Sequence, residues 1–199
     1  LGATTSGFAI SASTEKDLPY NPRKDVAPLS LFGDQPLVLI VGNHVPVNNI
    51  QEFLQLARSK PGTITLGSSD PSTVLANDIL KRLAKIDIVN VDYKGTGQIM
   101  TDTLGGTVSG MITSFAAARP QMAAGKIKGL AVTTMNRSQL APELPSLNES
   151  IAPGYDVTSW YLLFGPATLP RDLQVFLNKE IIAAMETADM KELFGRMLV

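Results

Sequence analysis

Residues 91–98, Val-Asp-Tyr-Lys-Gly-Thr-Gly-Gln, place a lysine ahead of two glycines, just after an apolar run and just before a helical pattern. A cation beside exposed backbone amides at a helix start is chemistry that holds an anion. A Walker loop needs Gly-x4-Gly-Lys-Ser/Thr. Here Lys94 comes before the glycine pair instead. The dinucleotide pattern Gly-x-Gly-x-x-Gly fails as well, because Gly95 and Gly97 are followed by Met100 where the third glycine is required. A nucleotide site is therefore not expected.

Catalytic groups are sparse. There is no cysteine, and His44 is the only histidine, so a Ser-His-Asp arrangement would have to use it. No serine stands in a Gly-x-Ser-x-Gly elbow. Asp34 and Glu52 flank His44 without metal-ligand spacing. Asp78, Asp87, Asp102, Asp172 and Glu180 are scattered and read mainly as solvated faces. The chain is expected to be no enzyme and to hold no metal or cofactor. The alternative is a hydrolase or transferase with His44 as base, which requires His44 to lie at the carboxyl ends of the parallel strands.

The elements that must position Lys94 can be read from periodicity. Gln35 to Gly42 is a continuous β-branched run, the pattern of a strand buried on both faces. Asn48 and Asn49 can cap a helix carrying Ile50, Phe53, Leu54 and Ala57, which Pro61-Gly62 stops. Strands at 64–66, 88–91, 108–112 and 127–132 then alternate with helices through Leu75–Leu83, Ile99–Leu104 and Phe115–Ala124. That alternation predicts a parallel sheet flanked by helices, an α/β fold. Gly2 to Gly7 reads as turn-rich and polar, followed by a weak helical stretch. Residues 137–153 read as an irregular connection and Val157 to Pro166 as a second long apolar strand. A helix from Arg171 to about Glu186 and a short piece over 190–198 close the chain.

In such sheets ligands bind at the strand carboxyl ends, where loops feed helix N-termini. Short hydroxyl and glycine residues cluster at those points: Ser68-Ser69 with Ser72 and Thr73, Tyr93-Lys94-Gly95-Thr96, and Thr113-Ser114, with Thr4-Thr5-Ser6 at the amino end. Each alone is an ordinary cap or turn; together they predict a polar, anion-accepting cleft. Trp160 and Tyr161 have two readings, as core filling or as a cleft wall.

The chain has 199 residues, 44% hydrophobic and 18% charged, with a net charge of −1. This is the composition of an ordinary globular protein, without the basic excess a nucleic-acid partner requires. No stretch reaches the ~20 consecutive apolar residues of a membrane helix. The start at Leu1 carries no charged and apolar leader pattern. The chain is therefore expected to be part of a longer one, with a removed signal peptide upstream.

The stretch "DYKGTGQIMTDTLGGTVSGMI" resembles the solute receptors of the tripartite tricarboxylate transporter class, the Bug-type receptors. Their Tyr-Lys-Gly-x-Gly loop, Asp-Leu-Leu-Gly-Gly helix end and Val-Asp-Leu-Met-Phe-Asp strand follow in that order. "LPYNPRKDVAPLSLF", "AAGKIKGLAVTTMNRSQLAPELPSLNES" and "PGYDVTSWYLLFGPATLP" are similar to further family segments, so the likeness runs nearly end to end.

The resemblance implies a two-lobed, Venus-flytrap fold of the periplasmic-binding-protein kind, with one lobe incomplete in this chain. Residues 1–36 and 160–199 would form part of one lobe. Residues 37–159 would form the other, with the two apolar runs as hinge strands. It implies a periplasmic, monomeric receptor that captures a small carboxylate and delivers it to membrane transporter subunits. A ligand-sensing role in signalling is the further alternative. The site residues it implies are Thr5, Ser6, Ser68, Ser69, Ser72, Thr73, Tyr93, Lys94, Gly95 and Thr113, with Trp160 added as a possible cleft wall. The chain departs from the family at "GSSDPST", a shortened loop whose Asp70 would repel a carboxylate. It also carries Thr113 where an acidic residue is usual, and Ser109 after Val108 in place of Asp. With that acidic partner gone, the ligand is expected to be a carboxylate without an amine, although Asp70 could compensate for it.

Overall fold

The run Leu37 to Val41 sits in the centre of a sheet, each side chain at most 5% exposed, in the computed structural model that describes residues 2–14, 17–150 and 153–197. It is the second half of a long strand, β2 (Val26–Gly42). Before it come β1 (Gly2–Thr4), a π-helical segment (Thr5–Ile10) and the single turn α1 (Ser11–Thr14). After it come α2 (Ile50–Ser59), β3 (Thr65–Ser68), α3 (Pro71–Ala84), β4 (Val89–Asp92), α4 (Thr96–Gly105), β5 (Gly110–Ser114), α5 (Phe115–Ala123) and β6 (Ile127–Val132). The short α6 (Leu147–Ser150), β7 (Thr158–Pro166), α7 (Arg171–Met185) and α8 (Ala188–Met197) complete the order. Where 2–7 read as turn-rich, Gly2, Ala3 and Thr4 pair as a strand, because β7 offers them a free edge (Gly2↔Leu163, Thr4↔Tyr161).

The chain divides into two compact units, Leu1–Gln35 with Ser159–Val199, and Pro36–Thr158. In the second unit the strands lie in the order β6-β2-β5-β3-β4. β3 pairs in parallel with β4 (Ser68↔Asp92) and with β5 (Gly67↔Met111). The strand that runs against the others is β2, antiparallel to both β5 (Leu37↔Ser114, Val41↔Gly110) and β6 (Val38↔Val132). An apolar run buried on both faces carries no sign of direction, so strand periodicity could not distinguish this from a wholly parallel sheet.

All the buried hydrophobic residues among those described belong to this unit. Leu37, Leu39 and Val41 point to one face of the sheet, where they pack with Phe53 and Leu54 of α2, Ala76 and Leu80 of α3, and Tyr155. α4 and α5 pack on β5 and β6, with Ile99 against the opposite face of β3. Gly67 permits that approach, since a Cβ there would stand 2.2 Å from Ile99 Cγ2. Thr133 closes the sheet edge. Its buried hydroxyl lies 2.6 Å from Val157 O and accepts from Leu37 N at 3.2 Å.

In the first unit β7 pairs with β1 and β2. Asn178 of α7 donates to Leu29 O at 2.6 Å, and Ala167 N donates to Asp25 O at 2.9 Å. α7 has no buried residue, and its Leu173, Val175, Phe176 and Ile182 are exposed. No helix among the described residues is long and apolar enough to cross a membrane.

Candidate functional site

Because β3, β4 and β5 are parallel, their carboxyl ends bring Ser68, Asp92 and Ser114 to one edge of the sheet. Three helices start there, α3 after Asp70, α4 after Gly95 and α5 after Ser114. Their first-turn N–H groups have no partner within the helix, so the edge is rich in backbone donors and in partial positive charge.

Two of the three helix starts satisfy these donors themselves. Asp70 is the N-cap of α3, with its carboxylate accepting from Ser72 N at 2.8 Å and from the Ser72 and Thr73 hydroxyls. Thr73 Oγ1 in turn accepts from the Asp70 amide at 3.3 Å, completing a capping box ahead of a first-position proline. The expected repulsion between Asp70 and a ligand carboxylate is therefore offset by the helix amides it caps. Both of its carboxylate oxygens already accept locally, Oδ1 from Ser72 and Thr73 and Oδ2 from the Thr73 hydroxyl. Ser114 caps α5, accepting from Ala117 N at 3.3 Å. Asp70→Ala should lower stability by about 1 kcal/mol while Asp70→Asn stays within a few tenths of wild type, measured by urea unfolding.

The third start is open. Gly95, the N-cap of α4, has no side chain to accept from the amides behind it. Lys94 beside it is exposed and makes no ion pair among the described residues. Ser69 Oγ lies 3.3 Å from Thr96 Oγ1, joining the β3 loop to the head of α4. Tyr93 N donates to Ser68 O at 2.8 Å and its phenol donates to Asp102 Oδ2 at 2.7 Å. That hydrogen bond, with some burial and the negative charge of Asp102, raises the Tyr93 phenol above its ordinary pKa.

The hydroxyls expected at this edge do not contribute equally. Ser68, Ser72 and Thr73 are buried, at 1%, 8% and 9% exposure. The Ser68 proton goes to Asp92 at 3.2 Å, and those of Ser72 and Tyr93 go to Asp70 and Asp102. Thr113 is 4% exposed in β5, opposite Val38. Ser69, Tyr93, Lys94, Gly95, Thr96 and Ser114 are the groups that remain partly or fully accessible. Asp92 and Asp102 were not singled out as site residues in the sequence, and no local spacing marks them. Asp70 could have been recognised as a cap from the Asp-Pro-Ser-Thr order alone.

Trp160 lies in the first unit, on β7. Successive residues there face opposite ways: Trp160 borders a groove of about 870 Å³ with Ser13, Asn21 and Arg23, while Tyr161 borders an aromatic cavity of about 840 Å³. In that cavity Phe32 meets Tyr161 at 5.8 Å between ring centroids, and Phe8 meets Phe164 at 5.7 Å. Both residues are half-buried, so neither is plain core filling. Thr5 and Ser6 begin the π-helical segment, and their side chains lie outside the described residues.

His44 is at the other edge. β2 runs antiparallel to β5, so the turn after Gly42 lies by the start of β5 (Val41↔Gly110) and the start of β6 (Gly42↔Ile127). There the imidazole packs beside Gly106, the left-handed cap that ends α4. A base placed there cannot serve a ligand at the strand carboxyl ends, so the hydrolase reading has no geometric support. Among the described residues, no three His, Asp or Glu side chains gather as metal ligands.

Comparison with known proteins agrees with this architecture. The chain is 29% identical over 191 residues to a UPF0065 protein from the tcbD-tcbE intergenic region of Pseudomonas sp. strain P51, covering 94% of this chain and 57% of that protein. Its structure is similar to that of R. palustris Rpa4515 with adipate, at a TM-score of 0.83 and 26% identity, covering 98% of this chain and 66% of that one. It is also similar to the periplasmic binding protein BugD, at a TM-score of 0.77 and 26% identity, covering 99% and 66%. The chain thus spans between about half and two thirds of these relatives' length. Residues 1–197 match the model of the tripartite tricarboxylate transporter family receptor, and the chain belongs to that family.

Proposed function

We propose that the chain forms the ligand-holding part of a periplasmic solute receptor that captures a small organic carboxylate and passes it to a tripartite tricarboxylate-type membrane transporter. The observation that carries this reading is the open start of α4. Gly95 leaves the first-turn amides without a side-chain cap, Lys94 supplies a nearby exposed cation that makes no ion pair among the described residues, and Ser69 and Thr96 add accessible hydroxyls. A carboxylate suits such a set of donors through charge-assisted hydrogen bonds.

Membership of the receptor family and the likeness to a protein solved with adipate support the ligand class. The likeness to the periplasmic binding protein BugD supports the compartment. In this reading residues 37–159 are one lobe and residues 1–36 with 160–199 belong to the other. Thr5, Ser6, Thr113 and Trp160 stay in the proposed ligand set alongside Ser69, Lys94 and Gly95. Ser68, Ser72, Thr73 and Tyr93 act chiefly by shaping the loops.

The test is to purify the full-length protein from its native host without added ligand and to identify by mass spectrometry what it carries. A stoichiometric organic acid is expected. A stoichiometric cationic or uncharged solute would contradict the proposal.

A further inference from the structure

The β4–α4 loop offers a ligand backbone amides and one lysine, so its usefulness depends on its being held still. Side-chain ties are few there: among the described residues Lys94 makes no ion pair, Gly95 has no side chain, and the Thr96 side chain bonds only Ser69. The remaining tie is long. Asp102 lies six residues beyond Thr96, about 9 Å along the helix axis. For its hydroxyl to reach Asp102, Tyr93 must lie back along α4. Its amide meanwhile donates to Ser68 O, so Tyr93 is held at both ends, by β3 and by its own helix.

Asp102 is itself well anchored. It is half-buried, and its carbonyl accepts from the Gly106 and Thr107 amides where α4 turns back toward β5. A helix carboxylate that sequence alone assigns to a solvated face therefore joins both ends of α4.

We propose that Asp102 is a positioning residue of the ligand site, fixing the Tyr93–Thr96 loop through the Tyr93 hydroxyl so that the α4 amides and Lys94 face the ligand in one arrangement. The acceptor is charged and the donor is a phenol, which makes this one of the stronger kinds of hydrogen bond. Preorganisation of this kind is read as affinity, because a loosened loop must be ordered again at each binding event. The effect on a ligand rests on the receptor reading; the pinning of the loop does not.

The test uses the full-length protein as wild type, Asp102→Ala, Asp102→Asn, Tyr93→Phe and the Asp102→Ala/Tyr93→Phe double variant. Asp78→Asn serves as a control, altering a carboxylate that accepts from Asn90 at 3.1 Å elsewhere in the unit. Amide hydrogen exchange is followed at Tyr93, Ile99 and Met100, the last two closing the first turn of α4. Dissociation constants are measured for adipate, malate, succinate and citrate.

Asp102→Ala and Tyr93→Phe should each speed exchange at those amides about tenfold, and should weaken the tightest of the four acids by a similar factor. The double variant should be little worse than either single one. Asp102→Asn keeps an acceptor and should recover much of the loss, and the control should change neither readout. Unchanged exchange in Asp102→Ala would overturn the proposal. So would faster exchange with unchanged affinity, which would leave the receptor reading standing. Wild type binding none of the four acids would instead count against both.

Discussion

Tyr155→Ala is expected to lower the unfolding free energy by about 3–5 kcal/mol, more than any change at the ligand edge. Tyr155 is fully buried within the main core cluster, and its hydroxyl donates to Ala76 O of α3 at 3.0 Å. Removing the ring leaves a cavity among α3, α2 and β2 that their backbones cannot close. Tyr155→Phe keeps the ring and should cost about 1 kcal/mol. Urea unfolding followed by circular dichroism separates the two, and equal losses would show that the hydroxyl and not the ring is what matters.

The same residue sets an alkaline limit. Burial pushes the phenol well above its ordinary value, so the fold holds it neutral while the unfolded chain ionises near pH 10. A folded pKa above the unfolded one means that this contribution is complete below about pH 10 and is lost as the pH climbs beyond it. Tyr155→Phe should flatten that part of the stability profile.

Gly110→Ala is expected to cost about 3 kcal/mol or to prevent folding, although it adds only one methyl group. A Cβ at Gly110 would stand 2.0 Å from Ile40 O and 3.1 Å from both Ile40 C and Val41 Cα. All three are backbone atoms of the central strand, so no side chain can turn aside. Only separation of β2 from β5 would relieve the contact, and that pairing holds the middle of the sheet (Ile40↔Met111). A variant with wild-type stability would show that β5 approaches β2 less closely. Gly67→Ala should also destabilise, because its Cβ would stand 2.2 Å from Cγ2 of Ile99, a buried and stiff β-branched side chain.

Much of this arrangement was legible in the residues. Asn49 was readable as the cap of α2, and it accepts from Glu52 N at 2.9 Å. Gly106 and Gly125 were readable as helix stops, and both have positive φ. The boundaries of β3, β4 and β5 fall one or two residues later than the apolar runs suggest. Their last residues are polar, and they pair because of their neighbours and not their hydropathy. Asp70 and Asp102 were harder. Charge alone suggested that one would face the ligand and the other solvent. Asp70 instead caps α3 through Ser72, a contact that the Asp-Pro-Ser-Thr order does signal, while Asp102 meets Tyr93, a pairing that no period marks. The direction of β2 was not legible either, and it is what carries His44 away from the loop edge.

The central claim is that the open start of α4 belongs to a carboxylate receptor. The most direct measurement is the melting temperature of the full-length protein, with and without a broad panel of organic acids at saturating concentration, each paired with its neutral amide. A ligand present at 100 times its dissociation constant stabilises the fold by about 2.7 kcal/mol, so at least one acid should raise the melting temperature by several degrees while its amide does not. No shift with any acid, or an equal shift with the neutral amides, would contradict the account.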